Sequence, residues 1–270
     1  MSRFQVAMLA SGSKGNATLI IAEEQYFLID MGLSCKELVK RLQKLQIEPN
    51  QLQAIFITHE HSDHMKGLAT FSKKYTVPIY SSEKTWKAVL AKDAGIIRSA
   101  CHIIDTNVTY NNIKISSFAI PHDASDPHGY TFEDLQTGSK CTYLTDTGFV
   151  TDTVKEAAEG AELLILEANH DVDLLKQGSY PPILKQRILS TRGHLSNESA
   201  GWLLANMEKK PKKVFLAHLS EENNRPSLAL DTVKSIVKKS LGASIINFYV
   251  ASQNEIVTDF QPVQKDLFSE

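Results

Sequence analysis

The sequence predicts an α/β protein built as a four-layer αββα sandwich, two mixed β-sheets flanked by helices. Three observations lead there. The chain opens with a cluster of short apolar runs, later runs alternate with segments of helical period, and metal-capable polar residues recur where those runs end. Strands first and strand–helix alternation afterwards fit two sheets between helical layers better than one parallel sheet.

Residues 4–9, 17–22 and 25–29 read as strands because they are short, apolar and bounded by Gly, Ser or acidic residues. Residues 34–46 come next as a helix, with Leu38, Val39, Leu42 and Leu45 on one stripe. Lys36, Lys40 and Lys44 fall on another face of it, which reads as solvated. A buried strand at 54–57 precedes helices at 66–74 and 82–92, and further strands lie at 113–120, 127–132 and 141–145. The remainder alternates: helix 151–159, strand 162–166, helices 181–190 and 196–208, strand 213–217, helix 226–240 and strand 245–250. Periodicity fades after Phe260, so 261–270 read as a loose tail on a single domain spanning 1–270.

Composition excludes several classes. At 42% hydrophobic and 22% charged, the 270 residues can bury a sizeable core. A net charge of −2 gives no global field to gather a polyanion, so nucleic acid would need a local patch. Cys35, Cys101 and Cys141 are odd in number and far apart, forming neither a disulfide framework nor a CxxC metal site. That usage fits a reducing compartment. The apolar run Val6–Ala10 is too short to anchor or export the chain, so the expectation is a cytoplasmic protein with no membrane partner.

The chemistry is concentrated in Thr58-His59-Glu60-His61-Ser62-Asp63-His64, where the Leu52–Ile57 run gives way to a loop. Alternate residues of an extended backbone share a face, so His59 and His61 can address one ion. Asp63 and His64, as the chain turns, can address a second. Imidazole with carboxylate suits zinc, manganese or iron better than calcium or magnesium. A polar surface loop that binds nothing is the alternative. Further candidates stand at strand ends: His122 after Ile120-Pro121, Asp146 after Cys141–Thr145, and His218 after Val214–Ala217. Singly, each has a structural explanation, a hydrogen-bonded His or a turn-forming Asp.

Together, His59-x-His61-x-Asp63-His64, His122, Asp146 and His218 resemble the ligand series of the metallo-β-lactamase fold. Asp30, before Met31-Gly32, matches that superfamily's first motif, where the Asp supports the site. Ala10–Asn16, Pro121–Ala124, Glu167–Asp171 and Arg192–Glu198 resemble its nuclease-like YycJ/WalJ branch. The resemblance implies two divalent ions, one on His59, His61 and His122, the other on Asp63, His64 and His218, with Asp146 bridging. It also implies metal-activated hydroxide as nucleophile, oriented by Asp63.

Such a hydroxide can open lactams, thioesters, lactones or phosphodiesters, so the fold does not choose among them. Three features favour a phosphodiester. Arg192-Gly193-His194-Leu195-Ser196 enters a helix whose amides could seat phosphate, with His194 placed to protonate the leaving oxygen; Ser196 as a plain helix cap is the alternative. Ser13, Lys14 and Asn16, in a loop flanked by Gly12 and Gly15, could approach an anion, or form only a hairpin turn. Lys185, Arg187 and Arg192 add positive charge near His194, and Glu167 and His170 are candidates to support the ligands. Residues 147–193 leave no room for the extra cleavage domain of the superfamily's larger nucleases, and the arm of its tRNA-processing members is missing. His64-Met65-Lys66-Gly67 departs from the Gly-Gly usual among its thioesterases and lactamases. The expected function is a metal-dependent phosphodiester hydrolase acting on nucleic acid, a DNA exonuclease by the branch resemblance, with 5′-to-3′ action on duplex ends suggested. A small-molecule nucleotide phosphodiesterase and a non-catalytic metal-bound regulatory scaffold are the rival readings.

Overall fold

A computed structural model describes residues 3–92, 95–241 and 246–261. The first half of the chain supplies strands β1 (Phe4–Ala10), β2 (Ala17–Ala22), β3 (Gln25–Ile29), β4 (Leu52–Phe56), β5 (Ile79–Ser81) and β6 (Cys101–Ile103). It then crosses to β7 (Asn107–Tyr110), β8 (Ile113–Ala119), β9 (His128–Asp134), β10 (Lys140–Leu144), β11 (Leu163–Glu167), β12 (Lys213–Ala217) and β13 (Asn247–Val250), and returns as β14 (Val257–Thr258). Two sheets result, in the orders β14-β1-β2-β3-β4-β5-β6 and β13-β12-β11-β10-β9-β8-β7. Both are mixed: β3 to β6 and β10 to β13 run parallel, while the remaining neighbours are antiparallel.

The packing arises from side-chain alternation. Phe4, Val6, Met8, Ile20, Phe27 and Phe56 of one sheet meet Ile115, Phe132, Tyr143, Ile165 and Phe215 of the other in the central layer. Phe56 stacks on Tyr80 at 5.4 Å and meets Phe132 edge-on at 5.8 Å. The outer face of the first sheet is covered by α1 (Cys35–Lys44), α2 (Ser62–Met65), α3 (Leu68–Ser72) and α4 (Glu83–Ala91). The later helices are α5 (Asp152–Ala158), α6 (Val172–Gln177), α7 (Pro182–Ile188), α8 (Asn197–Asn206) and α9 (Pro226–Leu241), of which α5, α8 and α9 cover the outer face of the second sheet.

The expected four-layer architecture is present, with local differences. The helix expected at 66–74 is shortened to α3, and one helical turn, α2, precedes it where a loop was expected; between them the Gly67 amide donates to the Met31 carbonyl at 3.1 Å instead of continuing a helix. Helix α6 lacks a readable apolar stripe; it starts where Asp171 accepts from the Asp173 and Leu174 amides at 3.1 and 2.9 Å. Strands β5, β6 and β14 are too short to show alternation, and β7 shows it over four residues only. Residue 245 of the last expected strand and residues 262–270 of the expected tail lie outside the described residues.

Candidate metal centre

Six strands end at one edge of the sandwich, and the site is assembled from the residues at or just beyond their carboxyl ends. Asp30 comes after β3, the His59–His64 loop after β4, His122 after β8, Asp146 after β10 and His218 after β12, while Glu167 closes β11. Asp30, Asp146 and His218 have left-handed backbones, φ 61°, 57° and 55°. This conformation reverses the chain at the strand end, and it costs a non-glycine residue about 1–2 kcal/mol. At Gly32 a side chain is impossible, since its Cβ would lie 1.6 Å from the Asp63 carbonyl oxygen. That close approach lets the Asn16 amide donate to the Asp63 carbonyl at 2.8 Å and the Met31 amide to that of His64 at 2.7 Å. The first loop and the histidine loop are thereby stitched together.

The extended run places His59 and His61 side by side, with His59 Nε2 2.9 Å from His61 Nδ1. The chain then turns into α2 at Ser62, separating Asp63 and His64 from that pair. Nitrogen atoms of His59, His61 and His122 lie within 4.8 Å of one another, as do donor atoms of Asp63, His64 and His218. Asp146 lies between the two groups, 3.5 Å from His64 Nε2, 3.4 Å from His218 Nδ1 and 3.9 Å from His122 Nε2.

Three of the imidazoles are turned by a partner on the outer nitrogen. His64 Nδ1 pairs with Asp30 at 2.7 Å, His122 Nδ1 with the Gly193 carbonyl at 3.1 Å, and His218 Nδ1 with Glu167 at 2.9 Å. All three therefore aim Nε2 inward, the arrangement by which carboxylates and carbonyls orient metal-binding histidines. Glu167 is fully buried and serves four donors: Oε1 faces His194 Nδ1 at 2.8 Å and His218 Nδ1, while Oε2 accepts from the Thr147 and Leu195 amides at 3.0 and 2.9 Å.

The electrostatics are those of a cation cage. Burial opposes charge on His64, but Asp30, Asp146 and Asp63 hold its pKa well above the ordinary imidazole range. Burial likewise opposes charge on His218, and Asp146, Asp63 and Glu167 raise it to about 10. His59 lies well below, pushed down by burial and then by the neighbouring histidines. Although burial works against ionisation, His64 and His218 keep Asp63 a carboxylate, and His218 and His64 do the same for Asp146.

The donor set fits divalent ions on one decisive observation. Asp146 Oδ2 and His218 Nε2 are buried inside the cage with no hydrogen-bond partner among the described residues. The 3.7 Å between His218 Nε2 and Asp63 Oδ2 is too long for a hydrogen bond. Orphaned buried donors and acceptors are costly unless another species completes them, and ligand atoms about 2.0–2.1 Å from one ion would stand roughly 3.3 Å apart.

The cage opens into a cavity of about 240 Å³. Ser13, Asp63, Asp146 and His194 line it, and α7 with its approach contributes Tyr180, Leu184, Arg187 and Ile188. The other candidates fall outside the lining. Lys14 pairs with Glu221 at 2.6 Å. Asn16 is buried behind the cage, 3.3 Å from Asp63 Oδ2 and 3.2 Å from His64 Nε2. Arg192 donates to the His122 carbonyl at 3.2 Å, bracing that loop. Ser196 caps α8 by accepting from the Ser199 amide at 3.1 Å, and the Asn197 amide already donates to the His170 carbonyl at 2.9 Å. The His170 ring is buried, burial lowers its pKa to about 4, and neither nitrogen has a partner among the described residues.

Sequence reasoning passed over Asp123, Asn169, Tyr180, Leu184, Ile188 and Ser220 as cavity-lining residues. Asp123 had a signal in its position beside His122, whose Nε2 lies 3.3 Å from it; it also pairs with Arg187. Tyr180 had none, because no local pattern tells which face of a short helix overhangs a site.

A buried His/Asp cage at the carboxyl ends of two sandwiched sheets is the architecture of a metallohydrolase. The chain belongs to the β-lactamase superfamily: the family model described as Beta-lactamase superfamily domain matches residues 25–219. It is 40% identical over 248 residues to the exodeoxyribonuclease WalJ of Streptococcus pneumoniae, covering 90% of this chain and 91% of that protein. It is 37% identical over 236 residues to the exodeoxyribonuclease YycJ of Bacillus anthracis, covering 86% and 89%. Among solved structures, the metallo-β-lactamase fold protein YhfI from Bacillus subtilis superposes with a TM-score of 0.68 at 16% identity, over 96% of this chain and all (100%) of that one, a likeness of fold.

Proposed function

We propose that the chain is a metal-dependent phosphodiester hydrolase that removes nucleotides from the end of DNA, working as one domain with two divalent ions, zinc or manganese. The observation that carries this reading is the pairing of the cage, with its orphaned Asp146 Oδ2 and His218 Nε2, and a Glu167–His194 couple beside it. The two relatives named exodeoxyribonucleases, alike along most of the chain, support DNA as the substrate.

His59, His61 and His122 would hold one ion and Asp63, His64 and His218 the other, with Asp146 shared between them. Bound there, the ions supply Lewis acidity and lower the pKa of water. The remaining work belongs to side chains. Asp63, kept ionised, accepts a hydrogen bond from the attacking water and fixes its direction. Glu167 Oε1 accepts from His194 Nδ1, which turns Nε2 toward the cavity to give a proton to the departing oxygen. Ser13, at the rim, is placed to donate to a phosphoryl oxygen.

The small cavity also suits a free cyclic or linear nucleotide, which is the second reading. Three free cysteines accord with action in the cytoplasm, and among the described residues no helix is long and apolar enough to cross a membrane. Incubation with manganese and end-labelled DNA tests the proposal. Release of labelled nucleotides is expected; hydrolysis of small phosphodiesters with intact DNA would leave only the second reading.

A further inference from the structure

Helix α7 is built unlike the others. None of its residues is buried, and Ile183 at its start is 81% exposed. Its inner face, with Tyr180 just ahead of it, lines the cavity at positions 180, 184, 187 and 188, one helical stripe. Ile183, one helical turn before Arg187, lies next to that stripe.

The helix is nevertheless held rigidly. Pro181 and Pro182 fix the backbone at its entry. Lys185 Nζ donates to the Lys176 and Gly178 carbonyls at 2.7 Å each. Arg187 is paired with Asp123 beside His122, and the His194 amide donates to the Ile188 carbonyl at 3.0 Å. A stiff element fastened beside the reacting centre thus presents a bare apolar side chain to solvent.

A volume of about 240 Å³ admits part of one strand, and a base-paired end is two nucleotides across. We propose that α7 is a strand-separating wedge. The terminal nucleotide of one DNA strand enters the cavity along Tyr180 and Leu184, while Ile183 packs against the exposed face of the next base pair and holds the duplex open. The occupant is identified by continuity: the wall that leads to the cage and the exposed Ile183 belong to the same helix. Basic Arg187 lines the cavity on the same helix, and exposed Arg192 follows four residues after its end. The wedge rests on the proposed action on DNA.

The test compares wild type with Ile183→Ser, a change at a position so exposed that folding is unaffected. Three end-labelled substrates are used with manganese: a blunt duplex, the same duplex with two mismatched terminal pairs, and the single strand. Losing an apolar contact of this size predicts a roughly tenfold fall on the blunt duplex. Rates on the mismatched duplex and the single strand should stay within twofold. An equal fall on all three, or no change on the blunt duplex, overturns the wedge while leaving the nuclease reading intact; the latter result is also what a protein partner for Ile183 would give. If wild type cuts none of the three yet hydrolyses bis(p-nitrophenyl) phosphate, the nuclease reading fails and takes the wedge with it.

Discussion

Replacing Glu167 by Gln should damage activity and stability together, because one fully buried carboxylate serves four donors. Oε1 faces His194 and His218, and Oε2 faces two backbone amides. A glutamine keeps the shape but presents an NH₂ on one side, so whichever way it lies two donors confront a donor. Hydrogen bonds to a charged group are each worth about 1.5–3 kcal/mol, giving a loss of roughly 3–6 kcal/mol before relaxation. For a chain of this size each kcal/mol moves the melting temperature by about 2–4 °C, so even the lower figure predicts a drop of roughly 6–12 °C. Turnover should fall at least about a hundredfold, since the orientation of both histidines is set by this acid. Calorimetry and single-turnover digestion of labelled DNA read the two effects. A Glu167→Gln protein that melts with the wild type and digests DNA within threefold of it would refute the reasoning.

Other outcomes are as specific. His194→Ala should slow turnover by about 10²–10⁴ while elemental analysis finds unchanged metal, and equal loss of metal would contradict its assignment as proton donor. Asp63→Ala should abolish digestion and any cellular role together; a retained cellular role would favour a scaffold. Phe56→Ala, which empties the centre of the aromatic layer, should cost about 3–5 kcal/mol in chemical denaturation. Asp134 is held below the usual carboxylate range: burial opposes this, but bonds from the Gln136 and Thr137 amides and Asn112 prevail. Its stabilisation is present above the unfolded carboxyl pKa of about 4 and is lost as acid takes the pH down through the lower folded value. Melting temperature followed below about pH 4 should therefore fall less steeply in Asp134→Asn than in wild type.

Much of the fold could be read from the sequence because its inner strands are buried on both faces and stand out as continuous apolar runs. The edge strands β6, β7 and β14 could not, since each has only a few residues and depends on a neighbour far along the chain. The His59–His64 loop could be read for a different reason: its geometry is local, an extended step and then a turn. Bringing His122, Asp146 and His218 to the same place needs the two sheets to align their strand ends, which only the family resemblance indicated. Glu167, read from sequence as a support of the ligands, accepts from four donors at the strand end, because alternation puts it on the same face of β11 as Leu163 and Ile165, which pack between the sheets. The side-chain directions in the glycine loop were not legible in the sequence. Its Lys14 turns out to Glu221, whereas Asn16 turns inward, where its amide reaches both Asp63 and His64.

The central claim is most directly tested by stripping the protein with a chelator and titrating zinc or manganese back while monitoring release of nucleotides from labelled DNA. Digestion should vanish on chelation, return with added metal and saturate near about two ions per chain. Undiminished digestion in excess chelator would contradict it.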